Sequence, residues 1–283
     1  MQIELLETFL DLFETGSFNR TAERLAITQS SVSGRIKALE ASLGARLFAR
    51  SKAGTNPTPA GNRFARHAIV LRREWNEACR AVRASAISAR QMRIGIQSDL
   101  APAHAGEWMM HFRKALPSTS FYIEPDYSSQ MCQDLLTGTL DIAVLYSPRH
   151  APDLHLDLLG EVAYEMVCTH AQTLAGLDSS RYILAGYSPA FEAAHRHLLP
   201  DLADTPVAAG QGAAICSLLT TIGGAAYVIE ETARDLVQSK KCLPVADAPV
   251  IDQPVFVAVH IRNRHKPEIR KIQAIIRKQF AAR

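Results

Sequence analysis

The sequence predicts an α/β protein headed by a small helical module, and three observations lead there. Its 283 residues are 47% hydrophobic and 21% charged, an ordinary globular balance and long enough for two domains. Apolar residues recur at helical spacing through the first ninety positions, whereas from about residue 92 short apolar runs alternate with amphipathic stretches. Charge divides at the same place. Residues 1–90 hold 14 Lys+Arg against 8 Asp+Glu, a net of +6, and the remainder holds 17 against 20, a net of −3. A basic head on a mildly acidic body fits a nucleic-acid-binding module attached to something else.

Composition also excludes. The five cysteines (Cys79, Cys132, Cys168, Cys216, Cys242) are odd in number and contain no C-x-x-C, which argues against a disulfide framework or a zinc site and for a reducing compartment. The N-terminus, MQIELLETFLDLFETG, lacks the basic flank and cleavage site of a signal peptide. Residues 205–229 carry no charge, but Gly210, Gly212, Gly223 and Gly224 within them favour a buried helix and strand joined by a turn over a membrane span. The expectation is a soluble, cytoplasmic chain with no cofactor.

In the head, Leu5, Leu6, Phe9, Leu10 and Phe13 mark a first helix that Gly16 can end. Ser17 can cap a short second helix with Phe18, Ala22 and Leu25 on its apolar face, and Thr28 can cap a third. On that third helix Val32, Ile36, Leu39 and Leu43 form one predicted buried stripe. The opposite face holds Ser30, Gly34 and Lys37, flanked by Ser33: small polar residues and a cation, which let a backbone approach a groove while Gln29 and the serines meet bases or phosphates. Short helix, tight turn and second helix make a helix-turn-helix. Residues 50–57, RSKAGTNP, read as a basic wing. An ordinary helical bundle accounts for each piece alone, but not for all of them together.

The stretch SFNRTAERLAITQSSVSGRIKALEASLGARLFARSKAGTNPTPAG resembles the N-terminal winged helix-turn-helix of the LysR-type bacterial transcriptional regulators. Thr28-Gln29 with Val32-Ser33, Ile36-Lys37 with Leu39-Glu40, Leu43-Gly44 with Leu47-Phe48 and Arg50, and Thr58 with Ala60-Gly61 carry the likeness. Gly34 stands where the family often has a long or basic residue. The resemblance implies DNA contacts at Thr28, Gln29, Ser30, Ser33, Arg35, Lys37, Arg50, Lys52 and Thr58. It implies as partners operator DNA, a small-molecule effector, further copies of the chain as a dimer or tetramer, and RNA polymerase.

Pro59 opens a long helix on which Phe64, Ala68, Leu71, Trp75, Ala78, Val82 and Ser85 step by 4, 3, 4, 3, 4 and 3. That is a heptad seam, ringed by Arg63, Arg66, Arg72, Arg73, Arg80 and Arg83. It reads either as a buried face within one domain or, better, as a two-stranded coiled coil, the role of the family's linker helix.

Beyond residue 91, residues 92–97, 121–124 and 141–146 read as strands separated by helices over 103–115 and 129–137, a βαβαβ order that implies a parallel, right-handed doubly wound sheet. Further strands are expected near 162–168, 182–185, 207–208, 226–229 and 255–261, with helices near 189–199, 211–221, 230–238 and 267–280. RIGIQSDLAP, FRKALPS and LLTGTLDIAVL resemble the family's effector-binding region, which implies the two-subdomain fold of periplasmic solute-binding proteins with crossings near Gly160 and Ile261. The implied divisions are 1–58 (winged helix-turn-helix), 59–90 (linker) and 91–283 (effector domain), with subdomain I at 91–160 and 262–283 and subdomain II at 161–261. Ser188-Pro189-x-Phe191, His195, Gly223-Gly224 and Pro249-Val250 resemble a subgroup that includes a flagellar-operon regulator, although Gly186-Tyr187 stands in place of its Asp-Trp pair.

Ligands of open α/β sheets sit beyond the carboxyl ends of strands. Those ends carry Ser98, Asp99, Ser128, Ser129, Tyr146, Ser147, Arg149, Gln211 and Gly212, a set of hydroxyls and one cation suited to a small organic anion, although a serine at a helix start is often only a cap. No G-x-S-x-G, P-loop or G-x-G-x-x-G marks an enzyme, and His195 and His197, two apart on a helix, face different ways. A ligand-responsive transcription factor is the reading, with a solute-binding protein of the same fold as the alternative.

Overall fold

The computed structural model describes residues 3–51, 54–83, 90–148 and 151–281. The chain divides into two compact units, the break following Arg83.

The first unit comprises α1 (Ile3–Thr15), α2 (Phe18–Arg24), α3 (Gln29–Leu43), the hairpin strands β1 (Phe48–Ser51) and β2 (Gly54–Pro57), and α4 (Pro59–Arg83). Its core forms around Phe9, whose ring meets Phe13, Phe48 and Phe64. Each break in the helices has a local cause. Gly16 turns left-handed (φ 61°) after α1, the Ser17 hydroxyl accepts the Arg20 N–H, the Thr28 hydroxyl accepts the Ser31 N–H, and Gly44 closes α3 at φ 65°. Val32, Ile36 and Leu39 are buried as expected. Leu43 is not: it sits on the last turn of α3 and is 42% exposed, so the buried stripe ends one turn earlier.

Two motif residues prove to be structural. The Glu40 carboxylate accepts the N–H groups of Leu47 (2.6 Å) and Phe48 (3.2 Å), holding the chain where it enters the wing. A Cβ on Gly61 would lie 2.2 Å from the Leu47 carbonyl oxygen, so the first turn of α4 packs there only as glycine.

The second unit opens with β3 (Arg90–Gln97), α5 (Ala101–Ala115), β4 (Thr119–Asp126), α6 (Ser128–Thr137) and β5 (Ile142–Leu145). The strands lie in the parallel order β4-β3-β5. The long strand β6 (Leu154–Cys168) follows, then β7 (Ile183–Ala185), α7 (Pro189–Leu198), β8 (Val207–Ala209), α8 (Gly212–Thr221), β9 (Ala225–Ile229), α9 (Glu230–Gln238), β10 (Leu243–Pro244), β11 (Ile251–His260) and α10 (Pro267–Ala281).

This sheet is mixed rather than wholly parallel. β6 and β11 run antiparallel along one another from Tyr164↔Ile251 to Leu154↔His260. At one end β11 adds to β5, and at the other β6 adds to β9 and β10. Two lobes therefore share one curled sheet, each keeping its own strand neighbours. The pairing slips at Val255/Phe256 opposite Gly160 and Leu158, leaving Leu159 as a bulged residue. Phe256, Val257 and Ala258 pair with β5 of the first lobe. β6 also begins earlier than residue 162, its first half being a partner for β11. Among the described residues, no helix is long and apolar enough to cross a membrane.

Candidate nucleic-acid interface and ligand cleft

On α3 the apolar stripe faces the core, which leaves Gln29, Ser30, Gly34 and Lys37 exposed and Ser33 half-buried beside them. Nothing lies within 4 Å of the place where a Gly34 Cβ would be. The face is therefore shallow at its centre, cationic at Lys37, and open. Thr28 is exposed but engaged: its hydroxyl is 2.9 Å from that of Ser30 and 2.8 Å from that of Ser31, while capping the helix. Arg35 turns away from this face, its Nη1 donating to the Thr8 hydroxyl at 3.3 Å. Thr58 caps α4, donating to the Arg46 carbonyl (2.7 Å) and accepting the Gly61 N–H (3.0 Å). Arg50 lies in β1; Lys52 lies outside the described residues, as do Ser85 and Arg149.

On α4 the predicted seam splits in two. Ala68 is fully buried and Phe64 packs with it in the head's core. Leu71 (41%), Trp75 (50%) and Val82 (85%) are exposed, a continuing apolar row.

In the second unit the strand ends converge as the topology requires. Ser128 is buried and saturated: its hydroxyl donates to Gln97 Oε1 (2.9 Å) and accepts the N–H groups of Tyr146 (3.1 Å) and Ser147 (3.3 Å). It pins three strand ends together. Ser98 and Ser147 are half-buried, and Ser129 and Gln211 are exposed. Asp99 reaches from the first lobe to the second, where the Gly212 N–H at the start of α8 donates to its Oδ1 at 2.7 Å. The Tyr164 hydroxyl, 2.9 Å from that of Tyr146, donates to Asp99 Oδ2 at 3.4 Å. Burial raises the Asp99 carboxyl to about 6 against these two donors. Burial likewise pushes the phenols of Tyr146, Tyr164 and Tyr187 well above their ordinary range.

Tyr164, Tyr187 and Gln97 were not expected here. Tyr164 and Tyr187 stack at 4.5 Å, and the Tyr187 hydroxyl donates to the Tyr227 carbonyl. Tyr127 approaches from the other side, its hydroxyl 2.9 Å from the place of a Gly210 Cβ. Nothing in the sequence distinguished these tyrosines from core residues. Ser188, Phe191 and His195 also turn out to be structural: Ser188 caps α7 and donates to Gln253 Oε1 at 2.5 Å. His195 Nε2 lies 2.7 Å from the Tyr182 hydroxyl, and burial lowers the ring below its ordinary range.

Comparison with known proteins adds the family. The description "Bacterial regulatory helix-turn-helix protein, lysR family" matches residues 3–62 and "LysR substrate binding domain" matches residues 85–281. A curated relative, the HTH-type transcriptional regulator HdfR of Yersinia pestis (strain Pestoides F), is 28% identical over 98% of this chain and 94% of its own length. Two solved structures share the fold. ArgP from Mycobacterium tuberculosis has a TM-score of 0.57 at 22% identity, covering 98% of this chain and 96% of its own. Full-length LysG from Corynebacterium glutamicum with bound effector Arg has 0.53 at 19%, covering 100% and 99%.

Proposed function

The chain belongs to the lysR family of bacterial helix-turn-helix regulators, and on that premise we propose that it binds operator DNA as a dimer or tetramer and responds to a small organic acid in the cleft between its two lobes. It is a LysR-type transcriptional regulator with an effector-binding domain, and its relatives are regulators rather than enzymes. The observation that carries the DNA reading is the open polar face of α3, with Gln29, Ser30 and Lys37 exposed over a buried Val32-Ile36-Leu39 stripe. A recognition helix of this kind lies in the major groove, where Gln reads adenine and small hydroxyls read bases or phosphates. Residues 1–58 form the DNA head, 59–90 the dimerising linker, and 91–283 the effector domain. RNA polymerase is the partner that receives the signal at a promoter. A solute-binding protein of the same fold would leave the helix-turn-helix without work.

The effector domain works through its hinge. Two lobes that share the β6–β11 pair can rotate on it, and a ligand acts by binding one closure better than the other. Ser98, Ser129 and Arg149 are the proposed holders of its acid group.

Fluorescence anisotropy with the operator at two salt concentrations tests the first half. Affinity falls steeply with salt, Gln29→Ala loses roughly 1–3 kcal/mol for the specific site alone, and Arg50→Ala weakens all DNA and flattens the salt slope. Unchanged operator affinity in Gln29→Ala refutes this docking. Arg149→Ala tests the second half: the effector response disappears while effector-free DNA affinity stays.

A further inference from the structure

The acidic balance of the effector unit conceals a division. Residues 91–260 hold 9 Lys+Arg against 19 Asp+Glu, a net of −10, whereas residues 261–283 hold 8 against 1, a net of +7. Helix α10 presents much of that positive charge. Ile269, Ile272 and Ile276 are buried in the core of the unit, and the helical period then turns Arg270, Lys271, Ala274, Arg277 and Lys278 outward, all of them exposed. Arg277 is bound to Asp157 at 2.7 Å. Arg270, Lys271 and Lys278 have no carboxylate partner among the described residues.

A solvated helix face ordinarily mixes both signs, because pairs one turn apart stabilise it. Helix α9 follows that pattern, its Arg234 bonded to Glu230 four positions earlier at 2.6 Å. The outer face of α10 carries no acidic residue. It also carries no aromatic or large apolar side chain, so it offers neither the apolar anchor of a protein interface nor the inserting face of a membrane-surface helix. What it offers is charge along a line. From Arg270 to Lys278 the helix rises about 12 Å, a length over which duplex DNA carries about seven phosphate charges.

We propose that the outer face of α10 is a second DNA-contacting surface, with Arg270, Lys271 and Lys278 laid along the phosphate backbone. It reads no bases: long cations among alanines neutralise phosphates and position the duplex without selecting a sequence. This rests on the reading of α3 as the recognition helix, which brings the duplex to the protein and makes the weaker contact at α10 intramolecular.

Fluorescence anisotropy of the full chain on a long random-sequence duplex, over a series of salt concentrations, tests it. The triple variant Arg270→Gln, Lys271→Gln, Lys278→Gln should bind at least about tenfold more weakly at low salt. Its slope of log affinity against log salt should be shallower by about two to three for each chain in the complex. Its melting should be unchanged, since none of the three side chains enters the core. The charge-retaining triple Arg270→Lys, Lys271→Arg, Lys278→Arg should bind as wild type does, because the contact is made by charge. Unchanged affinity and slope in the glutamine triple overturn the proposal. Loss of promoter activation with DNA binding intact also overturns it, and assigns the face to an acidic protein partner. Failure of the α3 reading looks different: Lys37→Gln then leaves the salt slope unmoved, while the α10 triple still lowers it.

Discussion

The two units of this chain build their sites on different length scales. In the head, the bonds that cap α3 and hold the start of the wing are short in sequence: Ser31 is capped three positions away by Thr28, and Leu47 is held by Glu40 seven positions away. In the effector unit the bonds that define the cleft join Asp99 to Gly212 across 113 positions and to Tyr164 across 65. Local sites can be read from spacing and capping rules; distant ones exist only once the sheet has curled.

The sharpest way to break this comparison is to unfold one unit alone. Phe9 is fully buried and its ring touches those of Phe13, Phe48 and Phe64, all within the head's own core. Phe9→Ala should remove roughly 3–5 kcal/mol from the head. Calorimetric melting should then show an early transition for the head, while the transition of the effector unit stays in place. A single shifted transition would show that the two fold as one cooperative block.

A somewhat smaller effect is expected on the exposed apolar row of α4. Leu71 heads the exposed row of α4, and Leu71→Asp should weaken subunit association by roughly 2–4 kcal/mol by placing an unpaired charge in an apolar seam. Light scattering at micromolar concentration should report monomers, and operator affinity should drop because two half-sites no longer share one reader. A variant that stays dimeric places the seam elsewhere.

Legibility followed the same division. The helix boundaries of the head, its caps and the wing were all visible, because Ser17, Thr28, Gly16 and Gly44 act within one turn of themselves. Leu43 misled, since helical periodicity cannot tell where the neighbouring helix ends. In the effector unit most strand and helix positions were legible, yet the early start of β6 and the mixed sheet were not. Alternation of strand and helix says nothing about β11 returning between β5 and β6, antiparallel to both. Asp99 and Gly212 were both expected at the cleft, but that they bond to one another was not. Tyr164 and Tyr187 carried no signal, because a tyrosine in a strand or before a helix is ordinary core material until a carboxylate is found beside it.

The smallest effect is the most informative about the recognition face. Gly34 lies in the middle of α3, where glycine destabilises a helix by about 1 kcal/mol relative to alanine, and an added Cβ would meet nothing within 4 Å. Free of DNA, Gly34→Ala should therefore stabilise the head by about that amount, seen as a small rise in the first melting transition. If the missing side chain serves close approach to the groove, the same methyl should lower operator affinity while leaving Gln29 and Lys37 in place. Stability and binding would then move in opposite directions, the pattern of a residue kept for contact rather than for folding. Should both rise together, the gap at Gly34 is not part of the DNA face, and the reading of α3 would rest on Gln29, Ser30, Ser33 and Lys37 alone.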